Sequence, residues 1–121
     1  MISIFSERAT QGLPITVFGD GEQTRDFLYV GDLVQVMIQA LEQPQVEEGA
    51  VNIGLNQATS LNQLLAALEK VIGSLPAISY GPARSGDIRH SRADNQRLLA
   101  RFDFPEATPL VEGLSRLLGK A

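Results

Sequence analysis

Two short arginine-bearing segments are where this sequence could do chemistry. The first is Phe18-Gly19-Asp20-Gly21-Glu22-Gln23-Thr24-Arg25-Asp26-Phe27 and the second Arg84-Ser85-Gly86-Asp87-Ile88-Arg89-His90-Ser91. Glycine permits positive φ and close approach of a ligand to the backbone, and an arginine fork grips phosphate at two points. In the first segment Arg25 follows the glycine turn, where a phosphate could be held; the alternative is an ordinary turn whose arginine pairs with Asp20, Glu22 or Asp26. In the second, two arginines and Asp87 share a glycine-containing loop. Arginines can neutralise a diphosphate while the carboxylate accepts hydrogen bonds from ribose hydroxyls. The alternative is a solvated loop with internal ion pairs. Neither segment is a Walker loop, since no Gly-Lys-Ser/Thr follows, and no helix opens on the first as a dinucleotide fingerprint requires.

The other chemical possibilities are thin. His90 is the single histidine and there is no cysteine, so neither a multi-histidine nor a thiolate metal site can be assembled, and no serine lies in a strained nucleophile turn. His90 reads as a loop residue. Tyr29 and Tyr80 fall in strand-like segments and neither has a lysine four residues on. No residue is assigned to catalysis, metal binding or cofactor binding.

The elements that must position these loops follow from periodicity. Ile2, Phe5 and Ala9 share a helical face, so residues 2 to 11 read as a helix whose abrupt start suggests truncation of a longer chain. Ile15-Thr16-Val17-Phe18 and Phe27-Leu28-Tyr29-Val30 are β-rich, as are Ala50-Val51-Asn52-Ile53 and Ala77-Ile78-Ser79-Tyr80. Asp32 precedes the stripe Leu33, Val36, Met37, Ala40 and Leu41 and is expected to cap that helix, which should end near Pro44. Thr59 or Ser60 should cap a second helix carrying Leu61, Leu64, Leu65, Leu68, Val71 and Ile72 and stopped by Gly73. A loop from Gly81 to about Ser91, a short helix around Asn95 to Arg101 and a last one opened by Pro109 through Leu110, Leu114, Leu117 and Leu118 complete the chain. The fold class is α/β, with several helices and strands too few to close a doubly wound sheet.

Composition narrows the partners. The 121 residues suit one small domain. Fourteen acidic against ten basic residues give a net charge of −4 without a basic run, which argues against nucleic acid polymers. No stretch is long and apolar enough for a membrane span, and none reads as a secretory signal, so a cytoplasmic location is expected.

The run Pro14 to Gly21, continued by Gln23-Thr24-Arg25-Asp26-Phe27-Leu28-Tyr29-Val30 and Asp32, resembles the signature of extended short-chain dehydrogenases/reductases acting on nucleotide sugars, the NAD-dependent epimerase/dehydratase family. Val51-Asn52-Ile53-Gly54, Thr59-Ser60-Leu61, the second loop and Ala93-Asp94 extend the resemblance in order over nearly the whole chain. It departs at Ser85, where relatives often carry proline, and at Gly31, where they often carry aspartate or histidine. The resemblance implies that residues 1–121 form the small C-terminal nucleotide-sugar-binding domain, without the Rossmann domain. It implies that Thr16, Val17 and Phe18 line a uracil pocket, that Arg25 and Arg84 bind the diphosphate and Asp87 the ribose, and that Arg89 binds phosphate or orders the loop. Asn52 stands near the ligand or satisfies backbone.

The glycine-rich NAD turn and Tyr-x-x-x-Lys pair of such enzymes have no counterpart here, so the chain alone is expected to be inactive and to bind no cofactor. The implied whole is an NAD-dependent UDP-hexose 4-epimerase, most like the UDP-glucose 4-epimerases, homodimeric and paired with its own Rossmann domain. The isolated chain is then expected to self-associate. A 4,6-dehydratase, a decarboxylase and a stand-alone nucleotide-binding module are the alternatives.

Overall fold

The computed structural model describes residues 1–45, 48–104 and 106–120. Its elements are α1 (Ile2–Thr10), β1 (Ile15–Phe18), β2 (Thr24–Arg25), α2 (Val30–Glu42), β3 (Thr59–Ser60), α3 (Leu61–Ile72), β4 (Ile78–Gly81), α4 (Gln96–Arg101) and α5 (Leu110–Leu117). β1 and β4 pair in parallel, Ile15 opposite Ile78 and Phe18 opposite Gly81. β2 and β3 form a short antiparallel pair, Thr24 opposite Ser60.

The period-two pattern of β1 sets the core. Ile15 and Val17 are fully buried, whereas Thr16 and Phe18 face out. Onto the inner side pack Phe5 and Ala9 of α1, Leu61, Leu64, Leu65 and Leu68 of α3, and Leu114 of α5. α3 is the best-defined helix. Ser60 Oγ accepts from Gln63 N at 3.1 Å while Gln63 Oε1 accepts from Ser60 N at 2.8 Å, a capping box. Gly73 ends it at φ 90°, the left-handed conformation glycine adopts most cheaply. Val71 and Ile72 border the core, partly buried.

Several expectations are corrected. Phe27 to Tyr29 are not a strand, and α2 starts at Val30. Tyr29, with φ −70° and ψ 134°, is the residue at the helix entrance, its carbonyl accepting from Asp32 N at 3.0 Å and Leu33 N at 3.2 Å. Asp32 is therefore inside the first turn. Its carboxylate does a different job: it accepts from Thr108 N and Thr108 Oγ1, both at 2.8 Å, and so ties α2 to the approach to α5.

Ala50 to Ile53 also lack strand pairing. Side chains take that role, Arg97 Nη1 donating to the Ala50 carbonyl at 3.0 Å and Asn52 Nδ2 to the Asp94 carbonyl at 3.4 Å. Of the α2 stripe only Val36 is buried. Met37 and Leu41 are exposed, as are Val34 and Ile38. Leu117 of α5 likewise lies outside the core.

Replacing Asp32 by alanine removes two charge-assisted bonds and leaves both Thr108 donors without it. Urea denaturation of Asp32→Ala is expected to show a loss of about 1.5–3 kcal/mol at unchanged slope. A midpoint within error of the parent would remove this tie from the account.

Candidate functional site

The two arginine-bearing loops meet. Thr24, one residue before Arg25, lies beside the second loop: its N–H donates to the Arg89 carbonyl at 2.9 Å and its carbonyl accepts from Ser91 N at 3.1 Å. Its hydroxyl is 2.9 Å from His90 Nδ1, which makes His90 part of the seam. Two ion pairs cross in opposite directions. Arg25 Nη2 donates to Asp87 Oδ1 at 2.9 Å, and Arg89 reaches back to Asp20 with both amino groups at 2.9 Å.

The second pair shifts the carboxyl it engages. Asp20 is held at about 2 chiefly by hydrogen bonding to Arg89, then by the Glu22 N–H, which donates to Asp20 Oδ1 at 2.9 Å. Arg89 is raised in turn by Asp20. This pair orders the turn.

Seven residues were singled out from sequence, and the structure distributes them unequally. Phe18 and Arg84 stack, the guanidinium carbon 3.8 Å from the ring centroid. Arg25 and Asp87 are joined directly, Arg25 being the more buried, and a second Arg25 amino group donates to the Thr24 carbonyl at 2.7 Å. Arg89 faces Asp20. Thr16 is exposed, its hydroxyl 3.4 Å from that of Ser79. Val17 turns its side chain into the core.

β1 presents a free edge. Ile15 N and Gly19 N donate to the Ala77 and Gly81 carbonyls, so in a parallel pair residues 15, 17 and 19 face β4, while Thr16 and Phe18 direct their backbone groups to the other side. No strand lies on that side among the described residues.

Supporting residues were less visible in the sequence. Asp26, considered only as an ion-pair partner, accepts from three backbone N–H groups: Leu55 at 3.2 Å, Asn56 at 2.9 Å and Ala93 at 3.2 Å. It thereby fastens the turn after Gly54 and the chain leaving the second loop. Gly54 is required there, because a Cβ would come within 2.6 Å of Ala93 Cβ and 2.9 Å of Asp26 Oδ2. Asn62 donates to the Asp20 carbonyl at 3.1 Å and to Glu22 Oε1 at 2.5 Å, and accepts from the Tyr80 hydroxyl at 2.9 Å. It lies so close to Gly21 that a Cβ there would overlap it at 2.2 Å. Gln23 is buried beneath the same turn. Asp26 and Gln23 stand near Arg25 in the sequence, a signal that Asn62 lacks.

The site is a shelf. None of the seven residues lines the apolar groove of about 290 Å³ bounded by Phe27, Tyr29, Val30, Pro109, Gly113 and Leu117. The residues present do not fit NAD either: the glycine turn after β1 leads into β2, so no helix N-terminus stands where a pyrophosphate would sit. Among the described residues no group of three or more potential metal ligands occurs, and no helix is long and apolar enough to cross a membrane.

Residues 1–54 match the model of the NAD dependent epimerase/dehydratase family. With the relatives below, this makes the chain similar to the C-terminal portion of epimerases of that family. A UDP-glucose 4-epimerase from Mycolicibacterium smegmatis is 32% identical over 116 residues, which are 96% of this chain and 37% of that protein. UDP-glucuronic acid decarboxylase 1 of Xenopus tropicalis is 33% identical over 98% of this chain and 28% of its own length. The crystal structure of UDP-glucose 4-epimerase from Thermotoga maritima with UDP-glucose superposes with a TM-score of 0.87 at 33% identity, covering 98% of this chain and 38% of that one. The chain thus spans well under half the length of these relatives.

The Arg89 contact predicts how Asp20 titrates. Its folded pKa lies below the ordinary 3.8, so the pair stabilises the fold above that value and its contribution is lost as pH falls from about 4 toward about 2. Carboxyl carbon NMR is expected to give a midpoint near 2, returning toward the ordinary value in Arg89→Ala. An unchanged midpoint in that variant would contradict the pairing.

Proposed function

We propose that this chain is the UDP-sugar-binding portion of an NAD-dependent UDP-hexose 4-epimerase, residues 1–121 acting as one C-terminal nucleotide-sugar-binding domain. The observation that carries the proposal is the convergence of the two arginine loops beside the free edge of β1. Each relative named above is an enzyme of UDP-sugars by its own name, and a UDP-sugar needs what this shelf offers. Its diphosphate calls for fixed cations, its ribose for an acceptor, and its uracil for an ordered donor and acceptor beside an apolar wall.

In this reading Arg25 and Arg84 take the diphosphate. Arg25 is held between Asp87 and the Thr24 carbonyl, so its fork is oriented before ligand arrives and little side-chain entropy is lost on binding. Asp87 accepts from the ribose hydroxyls. Arg89, already paired with Asp20, orders the loop. The Thr16 carbonyl and Phe18 N–H face the uracil, Phe18 and the stacked Arg84 supply the wall, and Val17 holds the strand from within.

The chain anchors the nucleotide while chemistry occurs elsewhere. In the whole enzyme NAD accepts and returns the hydride at the hexose C4. Fixing the UDP end lets the hexose reorient without leaving, and binding energy from the unreacting nucleotide supports positioning at the reacting carbon. The Rossmann domain would cover the exposed apolar side chains of α2 and the groove beside Tyr29, in a cytoplasmic homodimer. Left uncovered, those surfaces favour self-association.

A second reading is favoured by one observation: the Xenopus decarboxylase is as similar as the epimerases. The same shelf would then hold UDP-glucuronic acid for decarboxylation. Activity of the complete gene product on UDP-glucose against UDP-glucuronic acid separates the two.

Arg25→Ala and Arg84→Ala in the complete gene product are each expected to weaken UDP binding by about 1.5–3 kcal/mol, the scale of a charge-assisted hydrogen bond. Calorimetry giving parental affinity for both variants would exclude the diphosphate assignment.

A further inference from the structure

The three arginines of the shelf are not equally free to take an anion. Arg25 donates from Nη2 to Asp87 Oδ1 at 2.9 Å and from Nη1 to the Thr24 carbonyl at 2.7 Å, and Arg89 is held by both oxygens of Asp20. Arg84 lies over the Phe18 ring and has no ion pair among the described residues. One cation of the shelf is therefore unneutralised, while two carry their own carboxylates. The two pairs differ in setting. Arg89 and Asp20 are each 55% exposed, whereas Arg25 is 21% and Asp87 38% exposed, so water screens the first pair more than the second.

A short turn places Asp87. Its N–H donates to the Arg84 carbonyl at 3.3 Å, with Gly86 between them at φ 80°. Arg84 and Asp87 thus stand at the two ends of one turn, and Arg25 reaches that turn from the other loop. Two of the five guanidinium N–H groups of Arg25 are used, which leaves three for a ligand. Donors remain, but little net charge does: the carboxylate cancels the cation and repels any second anion that engages it. A nucleoside diphosphate answers this with its ribose, whose hydroxyls donate to the carboxylate while the phosphates engage Arg25. Inorganic pyrophosphate brings the charge without the ribose.

We propose that Asp87 is a selectivity gate on Arg25: its carboxylate holds the cation neutral until ribose hydroxyls donate to it, so the shelf favours nucleoside diphosphates over polyanions that lack a ribose. The inference rests on the UDP reading above and adds a determinant to it. Asp87 then does more than accept from the ribose. It makes the strength of the phosphate contact depend on the ribose being there.

The test is calorimetry of UDP and pyrophosphate on the complete gene product, its Asp87→Asn variant, Arg25→Ala with and without Asp87→Asn, and a Glu69→Gln control. Asparagine keeps an oxygen for Arg25 and removes the charge. Glu69, exposed in the last turn of α3, changes the net charge equally away from the shelf. Pyrophosphate affinity is expected to rise about tenfold in Asp87→Asn, the scale of one unit charge removed from beside the ligand, with no rise for UDP. Glu69→Gln should leave both affinities at the parental values, and Asp87→Asn should bring no gain once Arg25 is alanine. A folded Asp87→Asn whose pyrophosphate affinity is unchanged or lower overturns the gate, as does an equal gain for UDP, an equal gain in the control, or a gain that survives without Arg25. If Asp87→Asn does not fold, Asp87→Ala is read in the same way; failure of both to fold makes Asp87 structural and also overturns the proposal. A parent that binds no UDP removes the nucleotide reading and the gate with it, whereas a parent that binds UDP but gains nothing for pyrophosphate in the variant loses the gate alone.

Discussion

Thr24 is the hinge on which this small structure turns, because its backbone bonds to the second loop while its neighbour Arg25 carries the cation. The N–H and carbonyl of Thr24 hold Arg89 and Ser91. Ion pairs then run both ways across the seam, Arg25 to Asp87 and Arg89 to Asp20. Exposed pairs such as Arg89 with Asp20 contribute little to stability individually. Their value here is geometric: they fix the relative placement of two loops more than 60 residues apart in sequence, as the 62-residue separation of Arg25 and Asp87 shows. Arg25 and Arg89 are thereby brought to one seam, each with its own carboxylate, in a chain whose net charge is negative.

The scaffold is organised to keep that seam in place. α3 reaches it from below, with Leu61 N bonded to the Gln23 carbonyl and Asn62 N to the Gly21 carbonyl. Asp26 continues the arrangement by collecting three N–H groups from two other segments. The glycines at 21 and 54 are forced by proximity, since a side chain at either would occupy space already filled by Asn62 or by Ala93 and Asp26. The apolar core beneath, from β1, α1, α3 and α5, supplies rigidity, and the polar contacts aim it.

Helices with a full apolar stripe and clear end signals could be read from sequence: Ser60, one of two candidate caps, and Gly73 frame α3 because capping is local chemistry. β1 was equally legible through its β-branched and aromatic residues. What failed were segments whose state depends on partners distant in sequence. Phe27 to Tyr29 have strand-like composition but no ladder to join, and Ala50 to Ile53 are bonded by Arg97 and Asn52 side chains instead. The α2 stripe forms one helix face that is largely exposed, since amphipathic spacing specifies an apolar surface without naming what covers it. Among the site residues, the arginines and Asp87 stood out by type, whereas Asp26, Asn62 and Gln23 matter through contacts that only the fold creates.

The most direct test of the convergent shelf is an amide NMR titration with UDP. Binding there predicts coincident shifts at Thr16, Phe18, Arg25, Arg84 and Asp87, with one common dissociation constant, and little change at Gly113 in the apolar groove. Shifts confined to one loop, or centred on Tyr29 and Gly113, would contradict the account.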